Sequence, residues 1–281
     1  MMVPEGRITA CLGSNGAGKT TTIKLLLGLH HQDSGSIEVL GEDSRKLSRA
    51  SFQNIAYVSE NQLLPLWMTV EQLLKFSRPL YKNWDINLEA NLLKRFELDT
   101  RQKLKNLSRG QQMKAALLAN LAYRPKLVVL DEPFSGLDPL VRDEFIKGLL
   151  ELTEDEGWSV FISSHDIEEV ERLADQIAII DKGHLKLNES TDALLSRFRE
   201  VEIRLADSAE VPAALPDTWL NPQQSGRILR FTHCEWKDVS SIEECAVAIN
   251  GKLSSEPSCR TLSLREIFIQ LAQNYRLDLQ S

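Results

Sequence analysis

Eight residues near the start of the chain, Gly13, Ser14, Asn15, Gly16, Ala17, Gly18, Lys19 and Thr20, fit the pattern G-x-x-x-x-G-K-[ST]. Glycines at that spacing let backbone N–H groups converge on phosphate oxygens, and a helix beginning there adds partial positive charge. Lys19 is placed to reach β- and γ-phosphates, and Thr20 to put its hydroxyl on Mg²⁺. Thr21 follows directly, at the head of a run with helical spacing. A second pair able to do chemistry is Asp131-Glu132, at the end of the apolar run KLVVL. Asp131 suits water-mediated contact with Mg²⁺, and Glu132 suits activation of an attacking water. A third group is Ser108 and Gly110 in LSRGQQ, which open a helix and so present an anion-binding N-terminus. His165 closes the strand FISSH, and Asp138 lies between in SGLD.

These residues need elements that bring them together. The run 8–12 is short, apolar and β-prone, and helical spacing follows from Thr21, so the loop joins a strand to a helix. The sequences NIAYVSE, KLVVLDEP, WSVFISSH and QIAIID read as further strands, the middle two buried and parallel in type. Helices are expected from Thr69 with Gln72 in a capping box, over WDINLEANLLKRFEL, from Ser108, and from Asp138 with Pro139 at the first turn. KGHLKLN reads as a hairpin return around Gly183. Strands alternating with helices imply an α/β fold with a parallel sheet. Ligands in such sheets bind at the strands' carboxyl ends, where Asp131, Glu132 and His165 fall. Composition shifts near Ser196. Beyond it, VEIRL and ILRFT read as strands around a Pro-containing loop, VPAALPDTWLNPQQSG. Helices follow over 239–249 and from Ser263, where Glu266 completes a capping box. The expectation is a domain over 1–196 and a small α+β appendage over 197–281.

Composition narrows the partners. The chain has 281 residues, 42% hydrophobic and 26% charged, with net charge −7. No basic excess is available to neutralise nucleic-acid phosphates, so no nucleic-acid partner is expected. No apolar run is long enough to span a bilayer, and MMVPEGR has no signal-peptide core. The four cysteines, Cys11, Cys234, Cys245 and Cys259, have no C-x-x-C spacing, and are expected to be reduced cytosolic thiols. Cys11 is expected to pack in the strand before the loop. The five histidines show no metal-ligand spacing.

Taken together, the motifs resemble those of the ATP-binding subunits of ABC transporters. GSNGAGKTT is similar to the Walker A motif and LVVLDEP to Walker B. LSRGQ is similar to the family signature, including Gln111, with Arg109 where a second glycine is commonest. SGLD resembles the D-loop, and His165 the switch histidine. The likeness covers residues 6–188 in the expected order. YKNWD and the C-terminal appendage are similar to ATPases that serve ABC-2 exporters. The resemblance implies a P-loop NTPase fold with a helical signature subdomain, binding ATP and Mg²⁺. Two such subunits would dock head to tail, each ATP lying between one chain's loop and the other's Ser108, Gly110 and Gln111, near Asp138. Hydrolysis would drive an integral-membrane permease from the cytoplasmic face of the membrane. By the same resemblance LLPLWMTVEQLL would lie in the region that receives the permease, although Leu66, Trp67 and Met68 fit a buried core equally well. Two other classes share part of the pattern. A soluble ABC-type ATPase usually carries two such domains or a long coiled coil, and no sustained heptads occur here. A weakly active regulatory subunit fits less well with both Glu132 and His165 present.

Two departures from the family pattern stand out. Relatives usually begin about two strands earlier, with an aromatic residue that stacks on adenine, whereas MMVPEGR contains none. The base-holding part is therefore expected to be absent from this sequence. The other departure is Glu60, where the family has a glutamine that approaches Mg²⁺. Glu60 is expected to coordinate the metal with Thr20 and Asp131, adding negative charge beside Asp131 and Glu132.

Overall fold

The computed structural model describes residues 1–206, 215–249 and 253–278. The chain divides into two compact units, one ending at Asn188 and the other beginning at Glu189.

The first unit is built on a six-stranded sheet. Its elements run β1 (Ile8–Leu12), α1 (Lys19–Leu26), a small ribbon of β2 (Glu38–Val39) and β3 (Glu42–Asp43), then β4 (Ile55–Ser59). Three helices follow, α2 (Val70–Ser77), α3 (Ile86–Arg95) and α4 (Arg109–Leu121), before β5 (Leu127–Asp131) and α5 (Pro139–Glu156). The unit closes with β6 (Ser159–Ser164), α6 (Ile167–Leu173), β7 (Gln176–Asp181) and β8 (His184–Ser190). The sheet order is β4-β5-β6-β1-β7-β8, with parallel pairing from β4 to β7. Strands β1, β5 and β6 are buried along their whole length, as apolar runs covered on both faces require. Lys182 and Gly183 both have positive φ, and this two-residue turn returns the chain as β8 beside β7.

Register sets the site. Ser59 pairs with Asp131, Asp131 with Ser163, and Leu12 with Ser164, so four strands end on one edge. Local signals fix the helices at that edge and beside it. Thr69 with Gln72, and Ser108 with Gln111, form complete capping boxes. Asp138 caps α5 through the Val141 N–H, with Pro139 in the first turn. Helices α2 and α3 pack on α4, which in turn contacts β4. In that helical group Arg78 grips the buried Glu89 through two hydrogen bonds, 2.8 and 2.5 Å, and the Trp84 indole donates to the same carboxylate.

The second unit contains α7 (Thr191–Arg197), β9 (Arg199–Arg204), β10 (Trp219–Ser225), β11 (Ile228–His233), α8 (Val239–Ala248), β12 (Ser258–Thr261) and α9 (Leu264–Asp278). Its strands pair antiparallel in the order β10-β11-β9-β12. It has its own apolar core, in which Val201, Ile203, Trp219, Leu229 and Phe231 meet. Sequence reading expected a loop across 211–226. Of that stretch, 211–214 lie outside the described residues, and Trp219–Ser225 is β10 rather than loop. Pro222 gave the loop reading, because proline removes a ladder donor. The strand tolerates it at a register shift between Leu220 and Gln223, where Asn221 takes a φ of 49°.

Candidate functional site

The loop after β1 is shaped by what its glycines permit. Gly13 lies against the Ile180 carbonyl, where an added Cβ would come within 2.4 Å. Gly16 and Gly18 have φ of +84° and +112°, which L side chains rarely adopt. Ala17 closes the loop by donating to the Ser14 carbonyl at 3.1 Å, and the Gly183 N–H braces it on the Ala17 carbonyl at 2.8 Å. Ser14, Asn15, Gly16, Thr20 and Thr21 are exposed on its rim. Helix α1 starts just after Gly18, which occupies the capping position and supplies no side-chain cap. Its first N–H groups therefore face the loop, as an anion cradle requires.

Lys19 is buried, and its ammonium donates to the Gly13 carbonyl at 2.6 Å and the Ser14 carbonyl at 3.2 Å. It also lies 3.1 Å from a Glu132 carboxylate oxygen. Glu132 holds a φ of 52°, and its N–H is bonded by Ser163 through both Oγ, 3.0 Å, and the carbonyl, 3.2 Å. Its other carboxylate oxygen is 2.7 Å from His165 Nδ1. Asp131 accepts hydrogen bonds from Thr20 Oγ1 at 3.2 Å and Ser163 Oγ at 2.6 Å. Thus Lys19, Thr20, Asp131, Glu132 and His165 form one connected cluster at the sheet edge. Ser163 ties the two carboxylate residues together, and sequence reading passed over it. The available signal was a pair of serines ending an otherwise apolar strand, opposite Asp131 in a parallel register.

The donor set fits Mg²⁺. A threonine hydroxyl and one carboxylate already share an oxygen-rich corner, and hard divalent ions of this size complete their shell with phosphate oxygens and water. No group of three or more His, Cys, Asp or Glu that could hold a metal occurs among the described residues. Cys11 lies under this corner, fully buried. Its thiol is pushed up to about 12, first by burial, with Asp131 and Glu132 adding to the rise and Lys19 opposing it.

A second group forms at the starts of α4 and α5. Ser108 Oγ accepts from the Gln111 N–H at 3.2 Å, and the Gln111 side chain accepts from the Ser108 N–H at 3.0 Å. Gly110 is buried against α5, where a Cβ would come within 2.6 Å of Val141. Asp138 is exposed beside it.

Glu60 differs from expectation. Its N–H does bond the Asp131 carbonyl at 2.9 Å. Its carboxylate, however, receives Arg109 at 2.5 Å and Ser135 Oγ at 2.8 Å. The added negative charge is met by a cation rather than left beside Asp131 and Glu132. Leu66 and Trp67 also separate from Met68. Trp67 is 69% exposed and neighbouring Leu63 is 96% exposed, while Met68 is buried. All four cysteines are free thiols.

Comparison with known proteins agrees with this geometry. The ABC transporter family model matches residues 1–135. The chain is 31% identical over 279 residues to the Nod factor export ATP-binding protein I of Burkholderia lata, covering 96% of this chain and 89% of that one. It is 33% identical over 208 residues to the bacitracin transport ATP-binding protein BcrA of Bacillus licheniformis, covering 73% and 68%. A solved ATP-binding subunit of an ABC transporter superposes with a TM-score of 0.62 at 28% identity, over 69% of this chain and 82% of that one. The chain belongs to the ABC transporter family, as an ATP-hydrolysing subunit of the kind that powers a separate permease.

Proposed function

We propose that this chain powers export, hydrolysing ATP held between its own loop 13–21 and the α4 start of a second ATPase subunit. The observation that carries the reading is the unbroken line of contacts from Lys19 through Glu132 to His165, beside Thr20, Asp131 and Ser163. Lys19 and the α1 N–H groups bind and orient the phosphates. Glu132 accepts the proton of the attacking water, and His165 holds the carboxylate in place from the other side. Ser163 fixes the Glu132 backbone, so this base cannot swing freely. Thr20 and Asp131 would hold Mg²⁺, which would supply charge neutralisation on the phosphate oxygens. Ser108, Gly110 and Gln111, with Asp138 nearby, face the nucleotide of the partner subunit. The export assignment rests on the bacitracin transport and Nod factor export proteins among the relatives. No helix among the described residues is long and apolar enough to cross a membrane. The exposed Leu63, Leu66 and Trp67 offer a surface for an integral-membrane permease at the cytoplasmic face.

Glu132→Gln tests the reading. The amide keeps the shape of the side chain but cannot accept a proton. Turnover is expected to fall by about 1000-fold, within the range of a lost general base, while equilibrium ATP binding persists. Near-normal hydrolysis in that variant removes Glu132 from the role.

A further inference from the structure

The two residues that depart from the family pattern in the first unit touch each other. Arg109, the first residue of α4, reaches Glu60, the residue after β4, at 2.5 Å. Ser135 donates to the same carboxylate oxygen at 2.8 Å. The Arg109 guanidinium lies over Gly136, where a Cβ would meet it at 2.2 Å. Gly136 has a φ of +68°, so glycine suits that position on backbone grounds as well. Through its own N–H, Glu60 is joined to the end of β5 at Asp131. One carboxylate therefore connects three segments of a single chain: the end of β4, the start of α4, and the turn that leads to Asp138 and α5.

Folding stability does not account for this contact. The Arg109 side chain is 53% exposed and Glu60 25%, and ion pairs so wetted contribute little to the folded state. Charge matching does account for it. Glutamate in place of an amide adds one negative charge beside Asp131 and Glu132, and arginine in place of glycine adds one positive charge. Each change alone leaves an uncompensated charge at the site, and the two together leave none.

We propose that Arg109 is a positioning residue for hydrolysis, holding Glu60 on the Ser135–Gly136 turn and so tying the start of α4 to the carboxylate edge of its own sheet. The inference rests on the ATPase reading above. Loss of Arg109 frees Glu60 to compete with the phosphates for cations and to repel them. Loss of the Glu60 charge frees a guanidinium at the anion-binding start of α4. Both disturb the reacting geometry without touching the Lys19 loop.

The test is a double-mutant cycle in ATP turnover on the full chain, with Mg²⁺, comparing Glu60→Gln, Arg109→Gly and the pair. Each single variant is expected to lower kcat about 10-fold, the scale of coupling between contacting charged residues. KM and equilibrium ATP binding are expected to stay within about 3-fold, because a contact made for turnover acts on kcat. The double variant should lose no more than the worse single. Arg109→Lys, which keeps the charge but not the planar fork, should retain most of the turnover. If Arg109→Gly proves unfolded in urea titration, Arg109→Gln takes its place in the cycle. Losses that multiply to about 100-fold in the double variant, as independent sites would, overturn the pairing. So does wild-type turnover in Arg109→Gly or Arg109→Gln, the variants that remove the charge. Neither result bears on the ATPase reading, which falls only if the Glu132→Gln variant still hydrolyses ATP.

Discussion

Helices α1 and α4 both begin at places able to bind an anion, yet their starts are built in opposite ways. At α1 the capping position is Gly18, in a left-handed conformation and with no side-chain cap. The donors of the first turn are thus aimed at whatever the loop holds. At α4 the capping box of Ser108 and Gln111 satisfies the helix start from within. Ser108 Oγ accepts from the Gln111 N–H and keeps its own proton to donate. The first start is a cradle assembled around several converging donors and a buried lysine. The second is a finished helix end that can offer one hydroxyl to a ligand without giving up its cap. The half of a shared site that grips the phosphates needs the first design. The half presented to another chain's nucleotide can use the second, since it stays folded when that other chain is away.

The largest test of the contrast is Lys19→Ala. It removes the buried ammonium that sits among the Gly13 and Ser14 carbonyls and Glu132. A hydrogen bond to a charged group contributes about 1.5–3 kcal/mol, so ATP affinity should fall by about 10- to 100-fold. Glu132, left with His165 but without the ammonium, then faces the phosphates and pushes the loss towards the upper end. Calorimetric titration with ATP measures it. Affinity equal to wild type would mean that the loop binds through its backbone alone, and α1 would then differ from α4 only in degree.

The contrast also shows what a sequence can and cannot carry. Both helix starts were legible, because a capping box and a glycine-rich loop are local patterns of four to eight residues. The parallel sheet was legible too, from apolar runs such as KLVVL and FISS. The joining contacts were not. Ser163 acts across β5 and β6, Glu60 meets Arg109 across 49 positions, and neither link has a local signature. Sequence reading placed Glu60 next to Asp131, which its backbone satisfies, but could not show which way its carboxylate turns. In the second unit β10 was read as loop because of Pro222. Helix α7 and strand β12 went unread, one being only seven residues long and the other four, exposed throughout. Short elements held by their neighbours leave little periodicity to find.

A smaller effect separates the two tasks of Ser108. Ser108→Ala removes the cap, and the loss of such a cap costs about 1 kcal/mol of stability. For a unit of this size that lowers the melting temperature by about 2–4 °C. Ser108→Asp keeps an acceptor for the Gln111 N–H, so the melting temperature should stay near wild type. It removes the hydroxyl proton and sets a negative charge where an anion should bind, so turnover should fall much further than in the alanine variant. Thermal melts and ATPase rates on both variants decide between the tasks. If the aspartate variant hydrolyses ATP as fast as wild type, the start of α4 is a helix cap and nothing more.

The smallest effect probes the floor beneath α1. Cys11 is fully buried in β1, and its thiol is pushed up from 9.0 to about 12, chiefly by burial. At pH 8 only about one such thiol in ten thousand is the reactive thiolate. Alkylation of the native protein at that pH should therefore label exposed Cys259 rapidly and leave Cys11 nearly untouched, as peptide mapping by mass spectrometry can show. The same shift sets a direction for stability. The folded state keeps this proton where the unfolded chain begins to lose it. The contribution is thus full below pH 9 and declines as pH rises towards 12. Of its charged neighbours Lys19 pulls the thiol down, so Lys19→Ala should make Cys11 slower still to label. Faster labelling in that variant would mean that the ammonium seals the floor against water, and that the dryness under α1 depends on the lysine rather than on the packing of β1.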